Sequence, residues 1–507
     1  MAYFLGHDLG TSGLKTVLVD ERGVVRASAA GKYPLHHPRP HWAEQDPEDW
    51  WRAVCDCTRE VLSAGGVAPE EVAAITFAGQ MLALVPIADD LTPSRLAISW
   101  LDSRGEEQAR RMVRRLGGER IVAALAGASP TGKDLVAKMA WIADEEPAVF
   151  ARTRAFCDAT GYLVLRATGE VLCDPTAAGG FGLVDPATLR WSRLLATITG
   201  AHLSKLPRIA RSATVAGPLT PAAAAECGLR AGTPVAVGLA DIPAAAVGSG
   251  ATEPGDAHVY LGTSSWIGVT LAKAFASHRH GIASVPAGDS SMFLAIGESE
   301  TAGACVAWFE REIGLGAAPS GEAAWSLDAL VARAKPGARG LLFFPWMFGE
   351  RTPVPDTLLR GAFVGLSLEH DRSHLARAVF EGVALNLRWI LDAFGAPGRE
   401  CRTLRAVGGG ATSDEWLQTL ADVTGRDVDR MENSRLAGAI GSALTGAVAV
   451  GSLPDMRAIK QVIGVARRFS PRAEHAQLHA AQLASFRELY SALSRAGRRA
   501  AAFRLPG

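Results

Sequence analysis

One turn, written twice, constrains this chain more than any other feature. Leu5-Gly6-His7-Asp8-Leu9-Gly10-Thr11-Ser12-Gly13-Leu14-Lys15 carries an apolar run into Leu-Gly-Thr-Ser, and Tyr260-Leu261-Gly262-Thr263-Ser264-Ser265-Trp266 repeats the device about 250 residues later. In each copy glycine lets the backbone turn tightly and hydroxyls stand at the tip. After the first copy, Leu14 to Asp20 resumes a β-branched alternation and meets Glu21-Arg22-Gly23, so the stretch reads as a β-hairpin. Such a tip offers backbone N–H groups and hydroxyls to an anion. Two facing tips hold a polyphosphate from both sides, and their spacing in a chain of 507 residues predicts two similar α/β halves.

That length exceeds one compact core and fits two large units. Lys+Arg and Asp+Glu are equal at 52 each, so no net field favours nucleic acid or an anionic membrane. No apolar run approaches the roughly 20 residues that span a bilayer, and Met1-Ala2-Tyr3-Phe4 enters a strand without a basic region. The expectation is a soluble, cytoplasmic protein. Seven scattered cysteines, without a Cys-x-x-Cys pair, read as buried reduced thiols. His36, His37 and His41 sit among prolines and read as a loop rather than metal ligands.

Asp46 is placed as the N-cap and Pro47 as the first residue of a helix that Gly65-Gly66 stops. Val72 to Phe77 reads as a buried strand ending at Gly79-Gln80-Met81-Leu82, and Leu96 to Trp100 as another ending at Asp102. Ligands of open α/β sheets collect at strand ends, which makes Gln80, Met81, Leu82, Trp100 and Asp102 pocket candidates. Gly127-Ala128-Ser129-Pro130-Thr131-Gly132-Lys133-Asp134 has the glycines and lysine of a P-loop. Asp134 replaces the hydroxyl that would hold magnesium, and Arg120 to Leu125 reads as helix instead of strand, so the match is set aside.

A buried strand from Thr233 to Gly238 runs into Asp241 and an Ala-rich helix with Pro243 in its first turn. Asp241 serves there either as a helix cap or as a strand-end base that takes a proton from a hydroxyl. Gly248 to Gly255 reads as the joint between halves. Later, Gly340 to Pro345 is a strand, Ser373 to Ile390 a long striped helix, and Leu489 to Arg499 part of a surface helix. Leu404 to Val407 leads into Gly408-Gly409-Gly410-Ala411 and a helix starting near Ser413. Three glycines there let a flat ring and a phosphate approach the backbone, or let the chain pack closely.

With these residues in view the chain resembles the FGGY carbohydrate kinases, over nearly its whole length. The most specific stretch is Gly361-Ala362-Phe363-Val364-Gly365-Leu366 followed, seven residues on, by His374 to Glu381, which fits the family's second signature; of the first signature Lys138 to Glu145 fits, while Leu135 stands where Pro, Ser or Thr is expected. The resemblance implies two actin-like ATPase (ribonuclease H-like) α/β domains flanking a central cleft, residues 1–249 on the sugar-binding side and 250–507 on the adenosine side. It implies Asp241 as catalytic base, and Gly10, Thr11, Ser12, Lys15, Gly262, Thr263 and Ser264 on the nucleotide phosphates. Gly408, Gly409, Gly410 and Ala411 fall on adenosine, Asp8 and Asp241 on Mg2+, and Gln80, Met81, Leu82, Trp100, Asp241 and Ile242 on the substrate.

The activity so implied is ATP-dependent phosphorylation of a hydroxyl on a small sugar, such as a pentulose, or a polyol. No nucleic acid or membrane partner is expected, and homodimerisation is left open. The pattern is nearest the xylulokinases, from which it departs where Leu82 replaces His and Ile242 replaces Asn. The rival class is a non-kinase actin-like ATPase of chaperone or filament type, which would not need a strand-end carboxylate in a sugar cleft.

Overall fold

The computed structural model describes residues 2–115, 117–118, 130–185, 188–314 and 326–501. The helix read at Arg120 to Leu125, and Gly127 to Ser129 of the glycine-lysine segment, lie outside the described residues. Two seven-stranded sheets carry the chain. Numbered along the chain, the strands of the first are β1 (Tyr3–Leu9), β2 (Gly13–Asp20), β3 (Val25–Lys32), β4 (Val72–Gly79), β5 (Val215–Pro218), β6 (Pro234–Ala236) and β7 (Leu239–Ala240). They lie in the order β5-β6-β4-β1-β2-β3, with β7 also paired to β4. The second sheet contains β8 (Ala257–Leu261), β9 (Ser265–Leu271), β10 (Ala283–Pro286), β11 (Phe293–Ser299), β12 (Thr403–Val407), β13 (Asp427–Met431) and β14 (Val465–Phe469), in the order β10-β11-β9-β8-β12-β13-β14.

The plan is the same twice. β1 pairs antiparallel with β2 and parallel with β4, and β8 pairs antiparallel with β9 and parallel with β12. Each repeated Leu-Gly-Thr-Ser is therefore the hairpin between the first two strands of a sheet. The Leu96–Trp100 stretch departs from expectation: only Ala97–Ile98 is extended, and it pairs with Glu44–Gln45 away from the large sheet. Its partner is the entry to the first long helix, so tertiary pairing overrides the apolar run.

Helices cover the sheets. Among them are α1 (Pro47–Gly65), α2 (Leu135–Glu145), α3 (Ala159–Thr168), α4 (Asp241–Gly248), α5 (Arg372–Ala393), α6 (Asp414–Thr424) and α7 (Ala437–Ala449). The start of α1 follows from its caps: the Asp46 carboxylate accepts from the Glu48 N–H, and Pro47 opens the helix. Gly66, in the left-handed region at φ 61°, ends it.

Although α7 follows β13 of the second sheet, it packs on the first. Ala439, Ile440, Ala443 and Leu444 bury Phe4, Val17, Val19 and Ala74. The approach is backbone to backbone. A Cβ on Gly6 would lie 2.1 Å from the Ala439 oxygen, and one on Gly441 2.0 Å from the Ala244 oxygen of α4. Small residues at the α4–α7 crossing thus set how the two sheets meet, and the first strand's end faces the second half of the chain.

Candidate active site at the meeting of the two sheets

Asp8 and Asp241 converge by register. Asp8 of β1 lies opposite Ala78 of β4, which lies opposite Leu239 of β7. With strands about 4.8 Å apart, Asp8 is two strands from Leu239, and Asp241 follows two residues beyond it. Gly238 makes the bend at φ 82°, since a Cβ there would sit 2.2 Å from the Phe77 oxygen. The chain then rejoins β4 for two residues and turns into α4. Ala240, not Asp241, is the N-cap, so the carboxylate is free to reach across. Its Oδ1 accepts from the Met81 N–H at 3.2 Å and from the Ile242 N–H at 3.0 Å.

The electrostatics follow from this crowding. Burial first, then the charge of Asp8, pushes the Asp241 carboxyl up to about 7, against the pull of the two N–H groups. Burial also raises Asp8, opposed by Lys15. Asp241 is therefore a base poised near neutrality, the property proton abstraction needs. No hydrogen bond reaches the Asp8 carboxylate among the described residues.

Two half-buried carboxylates with open oxygens suit a small hard cation, which keeps waters and phosphate oxygens for its other positions. Asp8 and Asp241 therefore fit magnesium. No cluster of three or more potential protein ligands exists among the described residues, as that mode of binding allows.

The first hairpin tip is held from behind. Gly10 donates to the Gly13 carbonyl at 3.0 Å, and Tyr33 donates its hydroxyl to the Gly10 carbonyl. Trp100 Nε1 donates to Thr11 Oγ1 at 2.7 Å, while Gln45 donates through Nε2 to the Thr11 carbonyl at 2.8 Å and accepts at Oε1 from Gln80 Nε2 at 2.7 Å. Thus Gln80 and Trp100 support the hairpin, and Ser12 stands exposed at its tip. Lys15 points elsewhere: its ammonium donates to the Arg435 carbonyl at 3.0 Å, a tie between sequence-distant segments.

In the second hairpin, Gly262 donates to the Ser264 carbonyl at 3.0 Å and Thr263 is exposed. The tip rests on the start of a helix, where Gly303 donates to the Gly262 carbonyl at 2.8 Å. Gly262 is required because a Cβ would meet the Tyr260 ring at 2.4 Å. That ring stacks on Trp266 at 3.9 Å, and its hydroxyl is pushed up to about 12 by burial and by the charges of Asp8 and Asp241. Both hairpins therefore border the same carboxylates.

The glycine triplet divides its work. A Cβ on Gly408 would lie 2.5 Å from the Leu261 oxygen and one on Gly410 2.6 Å from the Trp416 ring, whereas one on Gly409 would meet nothing within 4 Å. Close packing explains Gly408 and Gly410, and Gly409 leaves open surface. The Ala411 side chain is buried. Ser413 caps α6 by accepting from the Trp416 N–H at 3.0 Å.

At the other end of the cleft stand Met81, Leu82 and Ile242. Leu82 is held at φ 62°, unusual for a branched residue, and Ile242 packs against the buried cluster of Ala246, Ala287, Met292 and Leu294. Asp102 is structural: its carboxylate accepts from Arg104 Nε, Nη2 and backbone N–H and from the Ala43 N–H at 2.7 Å. Residues that sequence reasoning did not single out also border the site. Tyr33, Gln45, Tyr260 and Glu298 do so, and Gly438, where a Cβ would lie 2.4 Å from Asp8 Oδ2, keeps α7 clear of that carboxylate. Only Gln45 carried a local signal, its place just before the α1 cap. All seven cysteines are buried free thiols, and no described helix is long and apolar enough to cross a membrane.

The family model "FGGY family of carbohydrate kinases, N-terminal domain" matches residues 3–248, and its C-terminal counterpart matches 257–450. A xylulose kinase of Bacillus subtilis is 31% identical over 495 residues, 97% of each chain. A gluconokinase of Bacillus licheniformis is 26% identical, covering 97% of this chain and 96% of the relative. The crystal structure of a xyloylose kinase from Brucella ovis superposes with a TM-score of 0.87 at 30% identity, covering 97% of this chain and 99% of the other. The family's two domain models thus match the two halves in which one sheet plan is used twice, and this protein belongs to the FGGY family of carbohydrate kinases.

Proposed function

We propose that the protein transfers the terminal phosphoryl group of ATP to a hydroxyl of a small sugar, a ketose such as a pentulose, or a polyol, with Asp241 as the general base. Asp241 takes the hydroxyl proton as the oxygen attacks in line, and its position near neutrality lets it accept that proton at physiological pH. Thr11, Ser12, Thr263, Ser264 and the N–H groups of both tips hold the phosphoryl oxygens, charge that grows on the transferring group being steadied by donors already in place. Asp8 and Asp241 hold the magnesium ion, which supplies charge neutralisation at the phosphates. The open surface at Gly409 takes the adenosine, with Gly408, Gly410 and Ala411 shaping its floor. Met81, Leu82 and Ile242 line the acceptor end, while Gln80 and Trp100 act from behind by fixing the first hairpin.

The observation that carries this reading is the convergence of Asp241 and Asp8 between the two hairpins. The relatives named for xylulose and gluconate place small polyhydroxy compounds in the candidate range. The test is turnover of the Asp241→Ala variant on an acceptor that the wild type phosphorylates, with ATP binding measured alongside. A fall of roughly 10²-fold or more with binding retained is expected. Near-normal turnover removes Asp241 from the mechanism.

A further inference from the structure

The strand that delivers Asp241, Leu239–Ala240, is only two residues long, and among the described residues it pairs with β4 alone. The peptide unit that joins its two residues nevertheless has both polar atoms held by side chains. The Thr160 hydroxyl donates to the Leu239 carbonyl at 3.0 Å, and the Ala240 N–H donates to Thr176 Oγ1 at 2.7 Å. The C=O and N–H of a planar trans peptide point to opposite sides, so the two threonines grip this one from opposite flanks and fix its plane. Both bonds are buried, Thr160 and Thr176 being 1% and 0% exposed.

Each threonine is itself held. Thr160 lies in the first turn of α3, where its N–H donates to the Asp158 carboxylate at 3.0 Å. Its side chain fills space that two glycines leave: a Cβ on Gly79 would lie 2.8 Å from Thr160 Oγ1, and one on Gly238 3.1 Å from Thr160 Cγ2. Thr176 lies in a one-turn helix, Pro175–Ala178, and donates to Asp174 Oδ1 through its N–H at 2.7 Å and through its hydroxyl. With that proton committed, Thr176 Oγ1 turns only lone pairs toward the Ala240 N–H.

The clamp controls direction. Asp241 is the next residue, and rotation of the Leu239–Ala240 plane would swing its carboxylate away from the Met81 and Ile242 N–H groups. A displacement of about 1 Å at a reacting group can cost on the order of 10²-fold in rate. We infer that Thr160 and Thr176 are positioning residues of the transfer: a two-sided clamp on the Leu239–Ala240 peptide that aims the Asp241 carboxylate at the acceptor hydroxyl. This rests on the reading of Asp241 as the base and deepens it.

The test compares Thr176→Val and Thr160→Val, which keep the shape and remove the hydroxyl, with Thr176→Ser, which keeps the hydroxyl. Each is made in the wild type and in Asp241→Ala, with thermal midpoints confirming that it is folded. Turnover is followed as ADP release on the best acceptor of a panel of four- to six-carbon ketoses, alditols and aldonates. Each valine variant should lower kcat roughly 10–100-fold with KM for ATP and acceptor changed by less than about two-fold, and Thr176→Ser should keep most of the turnover. In Asp241→Ala the valine substitutions should change the residual turnover by less than about two-fold, because the group they orient is gone. Full kcat in a folded valine variant, or an equal loss in both backgrounds, overturns the inference and leaves the kinase standing. If Thr176→Val does not fold, Thr160→Val carries the same comparison. Normal turnover in Asp241→Ala itself, or no acceptor phosphorylated by the wild type, removes the base reading and the clamp's role with it.

Discussion

Replacing Asp241 by Asn should make the ligand-free protein more stable while it removes activity, and the gain should depend on pH. The wild-type carboxyl titrates near 7 instead of the ordinary 3.8, because burial and the Asp8 charge oppose its ionisation. The displacement is a little over three pH units, which at 1.36 kcal/mol per unit amounts to an upper limit of about 4 kcal/mol. The folded value lies above the unfolded one, so the folded state binds more protons between roughly pH 4 and 7, and this group's contribution to stability falls as pH rises through that window. At pH 8 the whole penalty is felt; at pH 5 most is relieved, leaving about 1.5 kcal/mol. Asparagine keeps a side-chain oxygen for the Met81 and Ile242 N–H groups, so the substitution removes charge and little else. Its advantage should therefore be larger at pH 8 than at pH 5 by about 2–3 kcal/mol. Urea unfolding of both proteins at the two pH values, with a chelator and without nucleotide, measures this directly. A variant no more stable than wild type at pH 8, or a gain equal at both pH values, refutes the account of Asp241 as a carboxylate held in an unfavourable site for function.

Other perturbations probe the remaining parts. Gly441→Val should destabilise by more than about 2 kcal/mol in urea unfolding, since even its Cβ would fall 2.0 Å from the Ala244 oxygen at a crossing of two helix backbones. Gly409→Ala should fold with a near-normal thermal midpoint and show a raised KM for ATP. Gly410→Ala should lower the midpoint, because its Cβ would press on the Trp416 ring at 2.6 Å. Trp100→Phe removes the hydrogen bond to Thr11 and should cost about 0.5–1.5 kcal/mol of transition-state stabilisation, a few-fold in kcat/KM measured under saturating ATP. The same assay across pH should show kcat/KM rising to a plateau above about 7 as Asp241 loses its proton.

Much of the architecture was legible because its signals are local. Glycine and hydroxyl residues at a strand end specify a hairpin wherever the strand sits, and the two copies became the two hairpins that open the sheets. Asp46, Pro47 and Gly66 bound a helix through caps within a few residues of one another. An acid directly after a buried strand, at the head of an Ala-rich helix, made Asp241 a candidate for either a helix cap or a strand-end base. What the sequence could not disclose depends on pairs far apart in the chain. Lys15, placed among phosphate ligands by its neighbourhood, meets the carbonyl of residue 435. The Gln45–Gln80–Thr11 chain spans three segments, and α7 lies on a sheet to which its own neighbours do not belong.

Of the glycine triplet, composition says only that backbone is bare. Two of the three positions are filled by Leu261 and Trp416, and only the folded chain separates them from the third. The sequence by itself determined the hairpin tips and the ends of the first long helix, since both are written in neighbouring residues. Tertiary structure decided which carboxylates face each other and which glycines are surface, because burial and Coulomb interactions depend on distance in space and not along the chain.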